Sequence, residues 1–152
     1  MYKIVFVCTG NTCRSPMAEA LAGLIFEQHN IDVSVCSAGV SAGDGYPASK
    51  NAIAAMHSEG IDLRTHKSTQ VTEQLLSGAN LILTMTSTHL NIVKSICPQS
   101  NAFTLSEYAM SDGDVSDPFG GSLEVYNDCA AQIKELIMAS VPRLQKDFNI
   151  IP

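Results

Sequence analysis

Cys8 and Arg14 stand six residues apart, enclose Thr9-Gly10-Asn11-Thr12-Cys13, and are followed by Ser15-Pro16. Ahead of them runs Ile4-Val5-Phe6-Val7, whose β-branched, uninterrupted apolar character is that of a buried strand. Pro16 suits the first turn of a helix. A short connection between strand and helix offers backbone N–H groups at the positive end of the helix, which makes a cradle for an anion. Gly10 and Asn11 tolerate left-handed backbone, so the connection can curl with its amides inward. Arg14 adds a planar, two-pronged grip on phosphoryl oxygens. Cys8, at the base of this positive field, is favoured as the thiolate, and the Ser15 hydroxyl can donate a hydrogen bond to it. The combination is a sulfur nucleophile aimed at a phosphorus atom held in the loop, with Thr9 to Cys13 as the surrounding binding residues. A nucleotide-type phosphate loop would end in Gly-Lys-Ser/Thr, and none is present.

Such a loop needs a strand behind it and a helix ahead of it. The pattern supplies both and repeats them. Strands are expected at Ile4–Cys8, Asp32–Ser37, Asn80–Met85 and Ala102–Leu105. Helices are expected from Ser15, after Pro47 with Gly60 as the stop, over Thr72–Ser77, over Ser87–Cys97, and over Ser122–Phe148 with a kink at Pro142. Ser106–Gly121, rich in Asp, Gly and Ser, reads as a long loop. Strands apolar on both faces and alternating with helices imply a parallel sheet covered on both sides. Ligands of such sheets bind beyond the carboxyl ends of the strands, which is where Cys8 stands.

The whole chain reads as one domain, residues 1–152. Of its 152 residues 45% are hydrophobic and 16% charged, which excludes a disordered chain. Nine basic against fifteen acidic residues leave a net charge of −6, unsuited to sequence-independent nucleic-acid binding. No apolar run approaches the roughly 18 residues of a membrane-spanning helix, and the start of the chain lacks a signal-peptide core, so a cytoplasmic location is expected. Five cysteines at irregular spacing argue for reduced thiols. His29, His57 and His89 lack ligand-like spacing, so neither metal nor cofactor is expected.

Breaking a phosphoryl bond expels a leaving group that needs a proton. Asp112, Asp114 and Asp117 share the long loop, and only Asp117 is stiffened by a following proline. Asp117 is therefore the expected general acid; Asp112 and Asp114 read as solvated loop charges.

The run Cys8-Thr9-Gly10-Asn11-Thr12-Cys13-Arg14-Ser15-Pro16-Met17-Ala18-Glu19 resembles the signature of the low-molecular-weight protein tyrosine phosphatases. Ser37-Ala38-Gly39, Gly60-Ile61, His66-Lys67-Ser68 and Asp117-Pro118-Phe119 resemble its later landmarks. The resemblance implies a three-layer α/β fold: a four-stranded parallel sheet in the order 2-1-3-4, flanked by helices on both faces. It implies a phosphocysteine on Cys8, Asp117 as acid and then base, and a hydrogen-bond network of Asn11, Ser15, Ser37 and His66 behind the loop. The implied partners are phosphorylated proteins and inorganic phosphate or another oxyanion, with no nucleic acid or membrane, the chain acting as a monomer or weak dimer. Thr12 stands where tyrosine-specific members carry a bulky aliphatic residue, Phe119-Gly120 where they carry two aromatics, and there is no Trp. Thr12 and the Asp117-Pro118-Phe119-Gly120-Gly121 run resemble the bacterial protein-arginine phosphatases of the same fold. A slot walled by Phe119, with Tyr46 opposite, is shallow for a phenyl ring, while Thr12 and the loop carboxylates suit a guanidinium. Cys13 can pair with Cys8 on oxidation. Two other functions compete. Arsenate reduction needs two further, closely spaced cysteines, and beyond the third strand Cys97 stands without a close neighbour. A non-catalytic oxyanion-binding module would not need a nucleophile, an arginine and a proline-backed aspartate together.

Overall fold

Residue alternation along the first strand decides the architecture. In the computed structural model, which describes residues 1–150, β1 (Tyr2–Cys8) sends Ile4, Phe6 and Cys8 to one face and Val5 and Val7 to the other. Both sets are buried, so both faces of the sheet must be covered. The first face packs against α1 (Arg14–Gln28), α2 (Lys50–Ser58), α5 (Leu105–Tyr108) and α6 (Leu123–Asp147). The second packs against α3 (Glu73–Ser77) and α4 (Ser87–Ile96) through Leu76 and Val93. With β2 (Val33–Gly39), β3 (Leu81–Thr84) and β4 (Ala102–Thr104), the sheet runs β2-β1-β3-β4, all parallel. This is the expected order. The chain leaves β1 toward one edge and then crosses to the other side, so the ends of β1 and β3 flank the switch point where Cys8 emerges.

Helix starts follow capping chemistry. Ser49, Thr72, Thr86, Thr104 and Ser122 each accept a backbone N–H from the first turn of α2 to α6 in that order. The cap at Thr104 corrects one expectation. Residues 105–108, assigned to a strand end and a loop, form the short helix α5, because Thr104 ends the strand and its hydroxyl takes the Glu107 N–H at 3.0 Å. Gly60 ends the α2 segment with φ 76°. The long terminal helix continues past Pro142 to Asp147. Among the described residues, no helix is long and apolar enough to cross a membrane.

Candidate active site

The connection from β1 to α1 is shaped by what holds its carbonyl groups. The Cys8 and Thr9 carbonyls accept from Val40 N (3.0 Å) and Ser41 N (2.9 Å), beyond the end of β2. The Asn11 carbonyl lies 2.8 Å from His66 Nε2, the Thr12 carbonyl accepts from Ser49 N (2.8 Å), and the Cys13 carbonyl from Met17 N (3.2 Å). With its carbonyls drawn outward, the loop turns its N–H side to a cleft of about 230 Å³. Cys8, Thr9, Gly10, Thr12, Cys13 and Arg14 line that cleft, and Asp117 and Phe119 close it.

Asn11 makes this curl possible. It takes φ 55°, a left-handed conformation that a side chain without local hydrogen bonds adopts at a cost. Its amide nitrogen donates to Ser15 Oγ (2.8 Å) and Ser37 Oγ (2.9 Å), and its Oδ1 accepts from Thr69 N (2.8 Å). Asn11 and Ser15 are fully buried. The expected group of Asn11, Ser15, Ser37 and His66 is thus assembled behind the loop rather than in the cleft. It has a member that sequence reading missed: Ser37 Oγ donates to Glu19 Oε1 at 2.7 Å. Since Ser37 gives its proton to Glu19, its lone pairs face Asn11, whose second N–H goes to Ser15. Ser15 Oγ lies 2.8 Å from Cys8 Sγ and 3.4 Å from the Ala38 carbonyl, so the sulfur is the nearer of two acceptors for its proton. The place of Glu19, five residues after Arg14 and facing the β2 end, was not readable from spacing.

Gly39, the last residue of the Ser37-Ala38-Gly39 landmark, lies against the loop. A methyl group there would overlap the Thr9 carbonyl oxygen and come within 2.9 Å of the Asn11 nitrogen. A Gly39→Ala protein is expected to lose about 1–3 kcal/mol of stability from overpacking, read as a lower urea midpoint at unchanged slope. A midpoint equal to the wild type would show that the loop has room to move.

Arg14 is buried and held in place by two neighbours. One guanidinium nitrogen donates to the Val115 carbonyl (2.9 Å), and the other donates to Thr9 Oγ1 (3.4 Å) and lies 3.6 Å from Asp117 Oδ2. Val115 itself is fully buried and donates its N–H to the Met85 carbonyl (2.9 Å), so it anchors an otherwise polar loop to the end of β3. At the far end Asn51 Nδ2 donates to the Gly121 carbonyl (3.2 Å). Between these anchors Asp117 Oδ1 accepts from Phe119 N (3.1 Å), which orients the carboxylate toward Arg14. Its side chain is half exposed, open to both leaving group and water.

Two expectations change. Tyr46 does not line the cleft; its backbone is fixed by Ser68, through Tyr46 N to Ser68 Oγ (2.9 Å) and Ser68 N to the Tyr46 carbonyl (2.7 Å), and its side chain is exposed. Asp114 is exposed, as expected, and its Oδ1 also accepts from Ser87 N (3.0 Å) at the start of α4, where the helix dipole favours an anion. Neither Asp112 nor Asp114 reaches the cleft. Cys13 points its sulfur at Tyr126 Oη (3.3 Å) and Ser49 Oγ (3.5 Å), and both Cys8 and Cys13 are free thiols. Cys129, under the acid loop, has its thiol pushed up to about 12, chiefly by burial. His89 was set aside for its spacing, yet it lies at the site, with Nε2 2.8 Å from Thr9 Oγ1. Burial first, then the Arg14 guanidinium, push its pKa down to about 4. Its position just after β3, the neighbour of β1, was the available signal.

A buried thiol hydrogen-bonded to a serine, a ring of amides, a fixed guanidinium and a half-exposed carboxylate can bind a tetrahedral oxyanion and attack it. Known proteins resemble this chain over nearly its whole length. The profile of the family described as low molecular weight phosphotyrosine protein phosphatase matches residues 3–149. A protein-arginine-phosphatase of Bacillus subtilis is 44% identical over 147 residues, covering 95% of this chain and 97% of that one. The low molecular weight protein-tyrosine-phosphatase PtpB of Staphylococcus epidermidis is 38% identical over 136 residues, covering 89% and 94%. A solved structure of the arginine phosphatase YwlE, a serine variant with a phosphorylated active-site serine, superimposes with a TM-score of 0.92 at 42% identity, covering 98% and 99%. With the profile spanning nearly the whole chain and the fold matching in full, the chain belongs to the low-molecular-weight phosphotyrosine protein phosphatase family.

Proposed function

We propose that this protein removes phosphoryl groups from protein side chains through a phosphocysteine on Cys8, with phosphoarginine as its preferred substrate. The observation that carries the reading is that Cys8, Arg14 and Asp117 open into one cleft with Thr12 at its rim. The phosphoryl oxygens take the loop amides and the Arg14 guanidinium. Cys8 Sγ attacks phosphorus in line as the bond to the leaving nitrogen or oxygen breaks, and Asp117 gives that atom its proton. Asp117, now a carboxylate, takes a proton from water; the hydroxide displaces the Cys8 thiolate from phosphorus and releases inorganic phosphate. Ser15 and the amides stabilise the thiolate at both ends of the cycle.

Thr12 supports the arginine preference. It puts a hydroxyl where the cleft meets the side chain, and a guanidinium offers N–H donors to it, while a phenyl ring prefers apolar contact. Phe119, 79% exposed, is the single aromatic wall, and Asp117 is the carboxylate within the cleft that a guanidinium would meet. Among the relatives, two are named protein-arginine-phosphatases, beside others named low molecular weight protein-tyrosine-phosphatases. Aryl phosphates are expected to be cleaved as well, since nucleophile and cradle do not depend on the leaving group. Arsenate reduction is not favoured: Cys36 and Cys129 have thiols raised by burial, and Cys97 packs beside Val93 on the opposite face of the sheet.

The test is the ratio of kcat/KM on matched phosphoarginine and phosphotyrosine peptides. The wild type is expected to favour phosphoarginine. Thr12→Ile is expected to move the ratio toward phosphotyrosine by about tenfold or more, the size of one polar-for-apolar exchange in a pocket. An unchanged ratio would defeat the role given to Thr12.

A further inference from the structure

We infer that His89 is a positioning residue that fixes the Thr9 hydroxyl as a hydrogen-bond donor to the bound phosphoryl group; this rests on the reading of the loop as a phosphoryl cradle. His89 is the third residue of α4, and its backbone N–H is taken by the Thr86 hydroxyl at 3.2 Å. From there the imidazole reaches the end of β1, the strand beside β3, where Thr9 begins the loop. The residue is 4% exposed. Nε2 lies 2.8 Å from Thr9 Oγ1, while Nδ1, also buried, meets no hydrogen-bond partner among the described residues.

The orphaned nitrogen chooses the tautomer. A proton on Nδ1 would bury an unpaired N–H donor, whereas a proton on Nε2 leaves only an unpaired lone pair, which is the more tolerable defect. A ring this buried beside Arg14 stays neutral at working pH, with Asp114 and Asp117 opposing that effect more weakly. Nε2–H therefore donates to Thr9 Oγ1. Arg14 donates to the same oxygen at 3.4 Å. Both lone pairs of the hydroxyl are then engaged, and its own proton is directed along the remaining tetrahedral direction. Thr9 lines the cleft between Cys8 and Arg14, so that proton is available to a phosphoryl oxygen. His89 touches neither substrate nor sulfur; it acts through Thr9 by denying the hydroxyl any other use for its hydrogen.

The test combines a spectroscopic readout with phosphate binding. In the ¹⁵N-labelled wild type at neutral pH, the ring-nitrogen shifts of His89 are expected to be those of a neutral imidazole protonated on Nε2. Inorganic phosphate is expected to bind Thr9→Val and His89→Leu about tenfold more weakly than the wild type, the size of one hydrogen bond to an anion. His89→Gln, whose side-chain N–H reaches the same point, should restore most of the loss. The Thr9→Val/His89→Leu protein should bind no more weakly than Thr9→Val alone, since both changes remove one interaction. Shifts showing Nδ1–H or a doubly protonated ring overturn the inference, as do fully additive losses or a Thr9→Val protein with wild-type phosphate affinity. If His89→Leu does not fold, the wild-type spectrum and Thr9→Val still decide. A wild type that binds no phosphate overturns the cradle itself, and this inference with it; loss of the Thr9 effect alone leaves the cradle standing.

Discussion

Cys8→Ser is expected to lower turnover by on the order of 10⁴-fold or more, the scale seen when a covalent nucleophile is removed, while inorganic phosphate still binds. The two halves of this expectation have different physical origins. Binding rests on the inward amides and on Arg14, whose buried guanidinium is held by the Val115 carbonyl and Thr9 Oγ1, none of which depends on sulfur. Turnover rests on the thiolate. Ser15 Oγ, 2.8 Å from Cys8 Sγ, stabilises an anion that sulfur forms readily and a serine oxygen does not. A serine that is phosphorylated slowly would also be a poor leaving group in the second step. The variant should therefore accumulate one phosphoryl group on residue 8 during long incubation with substrate, visible by mass spectrometry of the peptide. Near-normal steady-state turnover, or a phosphoryl group trapped on any other residue, would remove Cys8 as the nucleophile.

Asp117→Asn should separate substrates by leaving group. Proton donation is worth about 100- to 10,000-fold, but only where the departing atom needs the proton. For phosphoarginine and alkyl or phenyl phosphates the loss in kcat/KM should fall in that range. For p-nitrophenyl phosphate, whose phenolate leaves unaided, it should be small. Using kcat/KM isolates the first chemical step, so slow hydrolysis of the phosphocysteine does not mask the pattern. The geometry behind this is Asp117 in the same cleft as Cys8, 3.6 Å from Arg14, and oriented by the Phe119 N–H. Asn keeps that hydrogen bond and roughly the same shape, so the change removes the proton and the charge but not the loop. Equal losses across the leaving-group series would take the acid role away from Asp117.

What the chain's own order of residues determined is local. Ile4 to Val7, apolar on every side, had to be an interior strand. Asn11 permitted a tight left-handed bend, while Gly10 does not take up the left-handed backbone it allows. Pro16 marked a helix start, and the proximity of Cys8, Arg14 and Ser15 in the chain brought sulfur, guanidinium and hydroxyl to one loop. Asp117 was legible through its proline. These features depend on backbone sterics and on contacts a few residues long.

What only the tertiary structure decided is which distant groups complete the loop. Thr69 and His66 reach Asn11 from more than fifty positions away, Glu19 orients Ser37 across a helix and a strand, and Gly39 is small because the Thr9 carbonyl lies against it. Asp114 binds the Ser87 N–H at the start of α4 and does not line the cleft, Ser68 fixes the backbone of Tyr46 outside the cleft lining, and His89 reaches Thr9 because β3 lies beside β1 in a sheet whose order is not the order of the chain. Spacing in sequence carries no information about such neighbours: a hydrogen bond is set by position in space to within a few tenths of an ångström, and parallel strand order with helix packing, not chain distance, supplies that position.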